Sequence, residues 1–293
     1  MKSVPFAEAR ARWEALVAHD DERIGPRAGS YLLGGTAFAG RAVVLLHGLT
    51  ASPAQCNALA AALHARGDTV LVPRLPHHGD EDRLTDRLAA LTAQELTDFA
   101  REVYAIARGL GTHVTVAGFS LGGLLALWLA QHEDVDHAVA IAPFLGIAAV
   151  PTRARRLVAT SLRALPNRFL WWDPLRRDRL GPAHGYPRFP THAIAEALAL
   201  AHGVGRAAEE RAPRAHRITL ITNASETAVS NRSARRLARA WRAAGYTHIA
   251  EHRLTGLPPS HDVVEPLRDP AVSGPVAQRI VALISADAPE PPW

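Results

Sequence analysis

The chain carries one cysteine, Cys56, and one lysine, Lys2, in 293 residues. A lone cysteine excludes an intramolecular disulfide, and no Cys/His set has the spacing of a structural zinc site. The 15 histidines are scattered and form no HExxH pair, so neither a metal nor any other cofactor is expected. The adjacent His77 and His78 read as turn residues. Long hydrophobic runs are also missing: nothing approaches the roughly 18 uncharged apolar residues that span a bilayer. The opening MKSVPFAEARARWEALVAHDDER alternates charges with apolar side chains and has no secretory h-region. A cytoplasmic protein without stable membrane insertion is the expectation. With lysine so scarce, the formal charge of +5 rests on arginine, a bias of the whole chain. Bases stand beside acids (Arg83, Asp86, Arg87; Arg176, Arg177, Asp178, Arg179), and the densest basic stretch, Arg153, Arg155, Arg156 and Arg163, lacks interleaved aromatics. It reads as a solvated helix face, and nucleic acid is not an expected partner.

What the chain does have is apolar content, at 48%, enough for a large core. Short aliphatic runs recur: Ala42–Leu46, Thr69–Val72, His113–Ala117, Ala138–Ile141, Ile218–Ile221 and Thr247–His252. The first five are almost continuously apolar, as strands buried on both faces of a parallel sheet are. Between them Pro53–Arg66, Ala93–Leu110 and Leu121–His132 carry apolar residues at helical spacing. Strand–helix alternation of this kind predicts an α/β fold with a mostly parallel, doubly wound sheet. The alternation breaks once, between Pro143 and Ile218, where Pro151, Pro166, Pro174, Pro182, Pro187 and Pro190, the Trp171–Trp172 pair and many arginines accumulate. A stretch this long inside a compact domain is usually functional. It predicts a cap, residues 144–210, inserted in a core of residues 1–143 and 211–293, over the strand ends where open α/β sheets bind ligands. The proline-rich tail (Pro289, Pro291, Pro292) is expected to fray.

The sharpest local signal is Gly118-Phe119-Ser120-Leu121-Gly122. It follows the run His113–Ala117 and leads directly into Leu121–His132, the strand–turn–helix setting in which a serine is lifted above a sheet as a nucleophile. The glycines are required where side chains would collide with the neighbouring strand and helix. A second element, Val43-Val44-Leu45-Leu46-His47-Gly48-Leu49-Thr50, is a buried strand running into a His-Gly turn. Acyl transfer places negative charge on a former carbonyl oxygen, and two preorganised backbone N–H groups can meet it. The expected donors are the amides of Leu49 and Leu121. His47, Gly48, Phe119, Trp171 and Trp172 are expected along the bound substrate.

These features, in this order, resemble the α/β-hydrolase superfamily. His47-Gly48-Leu49-Thr50-Ala51-Ser52-Pro53 is similar to the corresponding phrase of bacterial carboxylesterases and monoacylglycerol-lipase-like enzymes. Pro73-Arg74-Leu75-Pro76-His77-His78-Gly79 matches their Pro-x-Leu-x-Gly-His-Gly turn except for Pro76. The resemblance, over roughly residues 30 to 285, implies a Ser–acid–His order. It places the acid in Asn223-Ala224-Ser225-Glu226-Thr227-Ala228-Val229, where Glu226 stands for the commoner aspartate and Asn223 for a glycine. No other acid lies between Arg217 and Ala250; Asp173 and Glu251 are the next candidates. It places the base at His261 of Leu257-Pro258-Pro259-Ser260-His261-Asp262, ahead of the strand residues His248 and His252. Asp262 is expected to cap the segment that follows. The implied activity is cleavage of a small-molecule carboxylic ester through an acyl-enzyme. An acyltransferase, a peptidase (disfavoured by the basic cap) or a degenerate binding protein are the alternatives, and oligomeric state is not legible.

Overall fold

The computed structural model describes residues 4–20, 23–175, 184–264 and 270–286. The arginine-rich Arg176–Arg179, Pro182 and the proline-rich tail lie outside the described residues. Among those described, a seven-stranded sheet is built from β1 (Tyr31–Leu33), β2 (Ala39–Leu46), β3 (Thr69–Val72), β4 (Gly111–Phe119), β5 (His137–Ile141), β8 (Arg217–Asn223) and β9 (Ile249–Leu254). Two further strands, β6 (Phe169–Trp171) and β7 (Arg188–Pro190), form a separate antiparallel hairpin. The sheet order is β1-β3-β2-β4-β5-β8-β9. All its neighbours run parallel except β1, which lies antiparallel to β3 at one edge.

The apolar runs explain this arrangement. Every residue of β3 and β5, and Ala42–Leu46 of β2, is buried, because helices cover both faces of a parallel sheet. Strand β9 is less buried: Ile249 and Leu254 at its two ends are buried while Glu251 and Arg253 are exposed, as suits the opposite edge. The helices are α1 (Phe6–Val17), α2 (Asn57–His64), α3 (Ala93–Leu110), α4 (Leu121–His132), α5 (Arg155–Ala164), α6 (Thr191–Glu210), α7 (Asn231–Ala243) and α8 (Pro270–Ser285). Helix α3 begins with a capping box, Thr92 Oγ1 accepting from Glu95 N–H and the Glu95 carboxylate from Thr92 N–H. Helix α4 is apolar on all sides, and all its residues but the last are buried, because it is enclosed by β4, β5, α3 and α6. Among the described residues no helix is long and apolar enough to cross a membrane.

All six strands expected from the sequence are present; Thr69–Val72 matches at both ends, and the others differ by at most three residues at an end. The helical pattern Pro53–Arg66 opens as a 3₁₀ turn, Pro53–Cys56, before α2. β1, β6 and β7 have three residues each, too few for a period of two to stand out. Within 144–210, α6 packs against α3, α4 and α7 and feeds β8, so it is the crossover helix of the sheet. The basic stretch is only partly a solvated face. Arg153, Arg156 and Arg163 are exposed, but Arg155 is half-buried, donating to the carbonyls of Leu145 and Val150 and to Ser233 Oγ.

Candidate active site

Ser120 sits between β4 and α4 with φ 53° and ψ −107°, a left-handed backbone rarely adopted by a residue with a side chain. The glycines around it leave no alternative. A Cβ on Gly122 would lie 2.1 Å from the Leu46 carbonyl oxygen, and one on Gly118 would lie 2.2 Å from the Gly122 carbonyl carbon. The turn is fastened on both sides: Ser120 N–H donates to Ile141 O at 2.9 Å, and Gly122 N–H donates to His47 O at 3.1 Å. The hydroxyl is thereby carried to the C-terminal end of the parallel strands.

Two loops from distant parts of the chain meet it there. Ser120 Oγ donates to His261 Nε2 at 2.8 Å, and His261 Nδ1 donates to Glu226 Oε2 at 2.7 Å. The Glu226 side chain is sealed from solvent, and its Oε1 accepts from Ala228 N–H at 2.7 Å and Val229 N–H at 3.3 Å. Burial pushes this carboxyl upward, but the bond to His261 and the two amides outweigh it and hold it below its ordinary value. Serine, histidine and carboxylate thus stand in the relation by which a base removes a hydroxyl proton while an anion supports the imidazolium. Asp173 and Glu251 are not part of this chain of bonds; Glu251 pairs instead with Arg242 at 2.5 Å.

Asn223, which departs from glycine in the acid loop, is buried and staples that loop to the histidine loop. Its Nδ2 donates to Pro258 O at 2.9 Å and to Ser260 O at 3.2 Å, while Oδ1 accepts from Ser225 N–H at 3.0 Å. Asp262 has two tasks. Oδ1 accepts from Val264 N–H at 3.2 Å, the expected local cap, and Oδ2 accepts from Gln55 Nε2 at 2.8 Å. Gln55 Oε1 in turn accepts from Gly48 N–H at 2.8 Å. The histidine loop and the His-Gly turn are therefore joined through one buried glutamine, a link that had no sequence signal beyond a polar residue in an otherwise apolar segment.

Leu121 directly follows Ser120 and Leu49 lies in the turn after β2, and among the described residues neither amide N–H has a protein acceptor. Among the residues expected along a substrate, His47 is corrected. It is fully buried, with Nδ1 donating to Gly48 O at 2.9 Å and Nε2 accepting from Leu75 N–H at 3.1 Å. Both ring nitrogens are occupied, so it holds the turn. Phe119 is also buried, its ring 4.9 Å from that of His261 and in contact with Gly48; it supports the imidazole from below. Gly48 is tight for the same reason, a Cβ there lying 3.2 Å from the Phe119 ring. Trp171 is half-buried in β6. Trp172 is 49% exposed and stacks on Phe189 at 4.2 Å. Its Nε1 donates to Thr50 Oγ1 at 2.8 Å.

His78 is not a solvated turn residue. It is fully buried, donates from Nδ1 to Pro76 O at 2.8 Å, and packs against the rings of His47 and Tyr186. Burial lowers its pKa to about 4, and lowers that of His47 well below the ordinary 6.5. His137, bonded to Thr219 and Arg217 in the sheet, is lowered to about 3, again chiefly by burial. Unfolded, each imidazole takes up its proton near pH 6.5; folded, each stays neutral well below that, His78 to about 4 and His137 to about 3. Between those values the unfolded chain binds more protons, so stability is complete above about pH 6.5 and is lost as pH falls. The slope is about 1.4 kcal/mol per pH unit for each such histidine. Thermal melts should show Tm several degrees lower at pH 5 than at pH 7.5; a flat Tm across that range would contradict buried neutral imidazoles. Among the described residues no group of three or more His, Cys, Asp and Glu is placed to hold a metal ion.

Comparison with known proteins agrees with this architecture. Residues 43–288 match the alpha/beta hydrolase family. A thermostable monoacylglycerol lipase of Bacillus sp. (strain H-257) is 33% identical over 109 residues, an alignment spanning 37% of this chain and 42% of that relative's length. Among solved structures, the monoacylglycerol lipase of Paleococcus ferrophilus superposes with a TM-score of 0.66 at 19% identity, covering 87% of this chain and 97% of the other. A soluble variant of monoglyceride lipase from Saccharomyces cerevisiae gives 0.66 at 12% identity, covering 89% and 92%. At these identities the structural likeness is one of fold.

Proposed function

The chain belongs to the alpha/beta hydrolase family, and on that premise we propose that it is a serine hydrolase of carboxylic esters. The observation that carries this reading is the continuous chain of hydrogen bonds from Ser120 Oγ through His261 to Glu226, at 2.8 and 2.7 Å. In the reaction, His261 Nε2 takes the Ser120 proton as Oγ attacks the ester carbonyl. The Leu49 and Leu121 amides receive the developing oxyanion. His261 then returns the proton to the departing alcohol, leaving an acyl-serine. Water, deprotonated by the same imidazole, releases the acid and restores Ser120. Glu226 keeps the proton of the imidazole on Nδ1 throughout, so that Nε2 is free to accept.

In the proposal the described residues of 144–175 and 184–190 form the cap over this site, with α6 assigned to the core. Phe169, Leu170, Trp171 and Phe189 of its hairpin supply apolar surface suited to an acyl chain. Each methylene buried there is worth about 0.8 kcal/mol, so three more carbons can raise specificity by tens of fold. Two measurements test the reading together. A fluorophosphonate probe should form one adduct, on Ser120. With p-nitrophenyl acetate, butyrate, octanoate and palmitate, kcat/KM should peak at butyrate or octanoate. No adduct would sink the serine mechanism; a flat profile, or one peaking at palmitate, would sink the acyl preference alone.

A further inference from the structure

Thr50 has φ +66°, a conformation that is a genuine outlier for a β-branched residue. It occupies the third position of a tight turn, Gly48-Leu49-Thr50-Ala51, closed by Ala51 N–H donating to Gly48 O at 3.2 Å. A positive φ at that position defines the type II family of turns and ordinarily calls for glycine or asparagine. Relaxing Thr50 to a negative φ turns over the Leu49–Thr50 peptide plane. That plane is attached directly to the Cα bearing the Leu49 N–H, one of the two proposed oxyanion donors.

What holds Thr50 comes from the inserted segment. Trp172 Nε1 donates to Thr50 Oγ1 at 2.8 Å, Thr50 Oγ1 donates onward to Leu49 O at 2.6 Å, and Tyr186 N–H donates to Thr50 O at 2.7 Å. Tyr186 is itself fixed, its hydroxyl accepting from Asp80 N–H at 2.9 Å and donating to His77 O at 3.2 Å. Tyr186 is buried, but Trp172 is half exposed, so core packing does not account for its placement. Its indole N–H is the group that occupies Thr50 Oγ1 and leaves the hydroxyl proton aimed at the Leu49 carbonyl. We propose that Trp172 is a positioning residue for the oxyanion turn: through Thr50 it keeps the Leu49 amide aimed at the reacting carbonyl, so the hole is complete only while the cap is seated. This rests on the ester-hydrolase reading above and assigns the indole a task other than lining the acyl pocket.

The test uses Trp172→Phe, which keeps a smaller aromatic ring against Phe189 and deletes the indole N–H, and Thr50→Val, which keeps the β-branch and deletes Oγ. Each should lower kcat for p-nitrophenyl butyrate by about 10-fold, a fraction of the 10²–10³ that losing an oxyanion donor outright costs, with KM within about twofold. Tm should stay close to wild type, and the double variant should be no worse than either single one, because both remove the same bond. Thr50→Gly placed on Trp172→Phe should recover most of the lost kcat, since glycine adopts the positive φ unaided. A wild-type-like kcat in Trp172→Phe, additive losses in the double variant, or no recovery with Thr50→Gly would each overturn the proposal. A pocket-lining tryptophan would instead raise KM in step with acyl length, and glycine at position 50 would not repair it. If wild type itself shows neither esterase turnover nor fluorophosphonate labelling, it is the functional reading that fails.

Discussion

Replacing Ser120 by alanine is expected to lower kcat for an activated ester by at least ~10⁴-fold while the protein remains folded. In the proposed mechanism the loss is large because the hydroxyl oxygen forms the covalent bond, and no second nucleophile lies within the chain of bonds through His261 and Glu226. The fold survives because the backbone at position 120 is imposed by its surroundings. Ile141 and His47 carbonyls hold the turn from both sides, and the flanking glycines have no room for any other path. Alanine carries the same Cβ as serine and meets the same strain at φ 53°, so Tm should move by no more than a few degrees. Turnover kept above about a tenth of wild type, measured with the enzyme freshly purified from a serine-probe-negative preparation, would show that the nucleophile lies elsewhere.

His261→Ala should cost nearly as much, and Glu226→Gln somewhat less, about 10²–10⁴-fold. The reasoning for the glutamine is geometric. Glu226 Oε1 is already held by the amides of Ala228 and Val229, so the amide oxygen of a glutamine takes that place and its NH₂ turns toward His261 Nδ1. Two donors cannot face each other, and the imidazole shifts its proton to Nε2. It then presents a donor, not an acceptor, to Ser120 Oγ. The double variant should be little worse than His261→Ala, since the carboxylate acts only through the ring. Additive losses would mean that Glu226 has a separate role, and a neutral Glu226→Gln would remove it from the mechanism.

The strand–turn–helix around the proposed nucleophile was legible because its constraints are local. Gly118, Ser120, Gly122 and the strand and helix around them lie within a few residues, so spacing alone reports the collision that a Cβ would cause. The sheet was legible for a related reason: strands buried on both faces must be almost continuously apolar, as Val70–Val72 and Ala138–Ile141 are. The bonds that align the site were not. Gln55 reaches Asp262 across 207 positions, and Asn223 holds Pro258 and Ser260 across 35 and 37; neither pairing leaves a period or a motif. His47 shows the opposite failure. Its place in a motif suggested contact with substrate, yet burial and two internal hydrogen bonds make it a strut. Glu226 and Asn223 belong to one loop, which Asn223 ties to Pro258 and Ser260 of the histidine loop.

The bond between Ser120 and His261 spans 141 positions, and this has a bearing on how the protein is made. During synthesis the chain leaves the ribosome from its N-terminus, and domains gather as their segments emerge. The strained turn around Ser120, with β2, β4 and β5 beside it, is available when little more than half the sequence has been translated. His261, its proposed general base, is not, and neither is β9, the edge strand after which the histidine loop runs. For that interval the nascent polypeptide carries a serine with no partner to deprotonate it. Reactivity is thereby withheld until the sheet can close over its last parallel neighbour, and a truncated product stalled before residue 261 would be chemically silent.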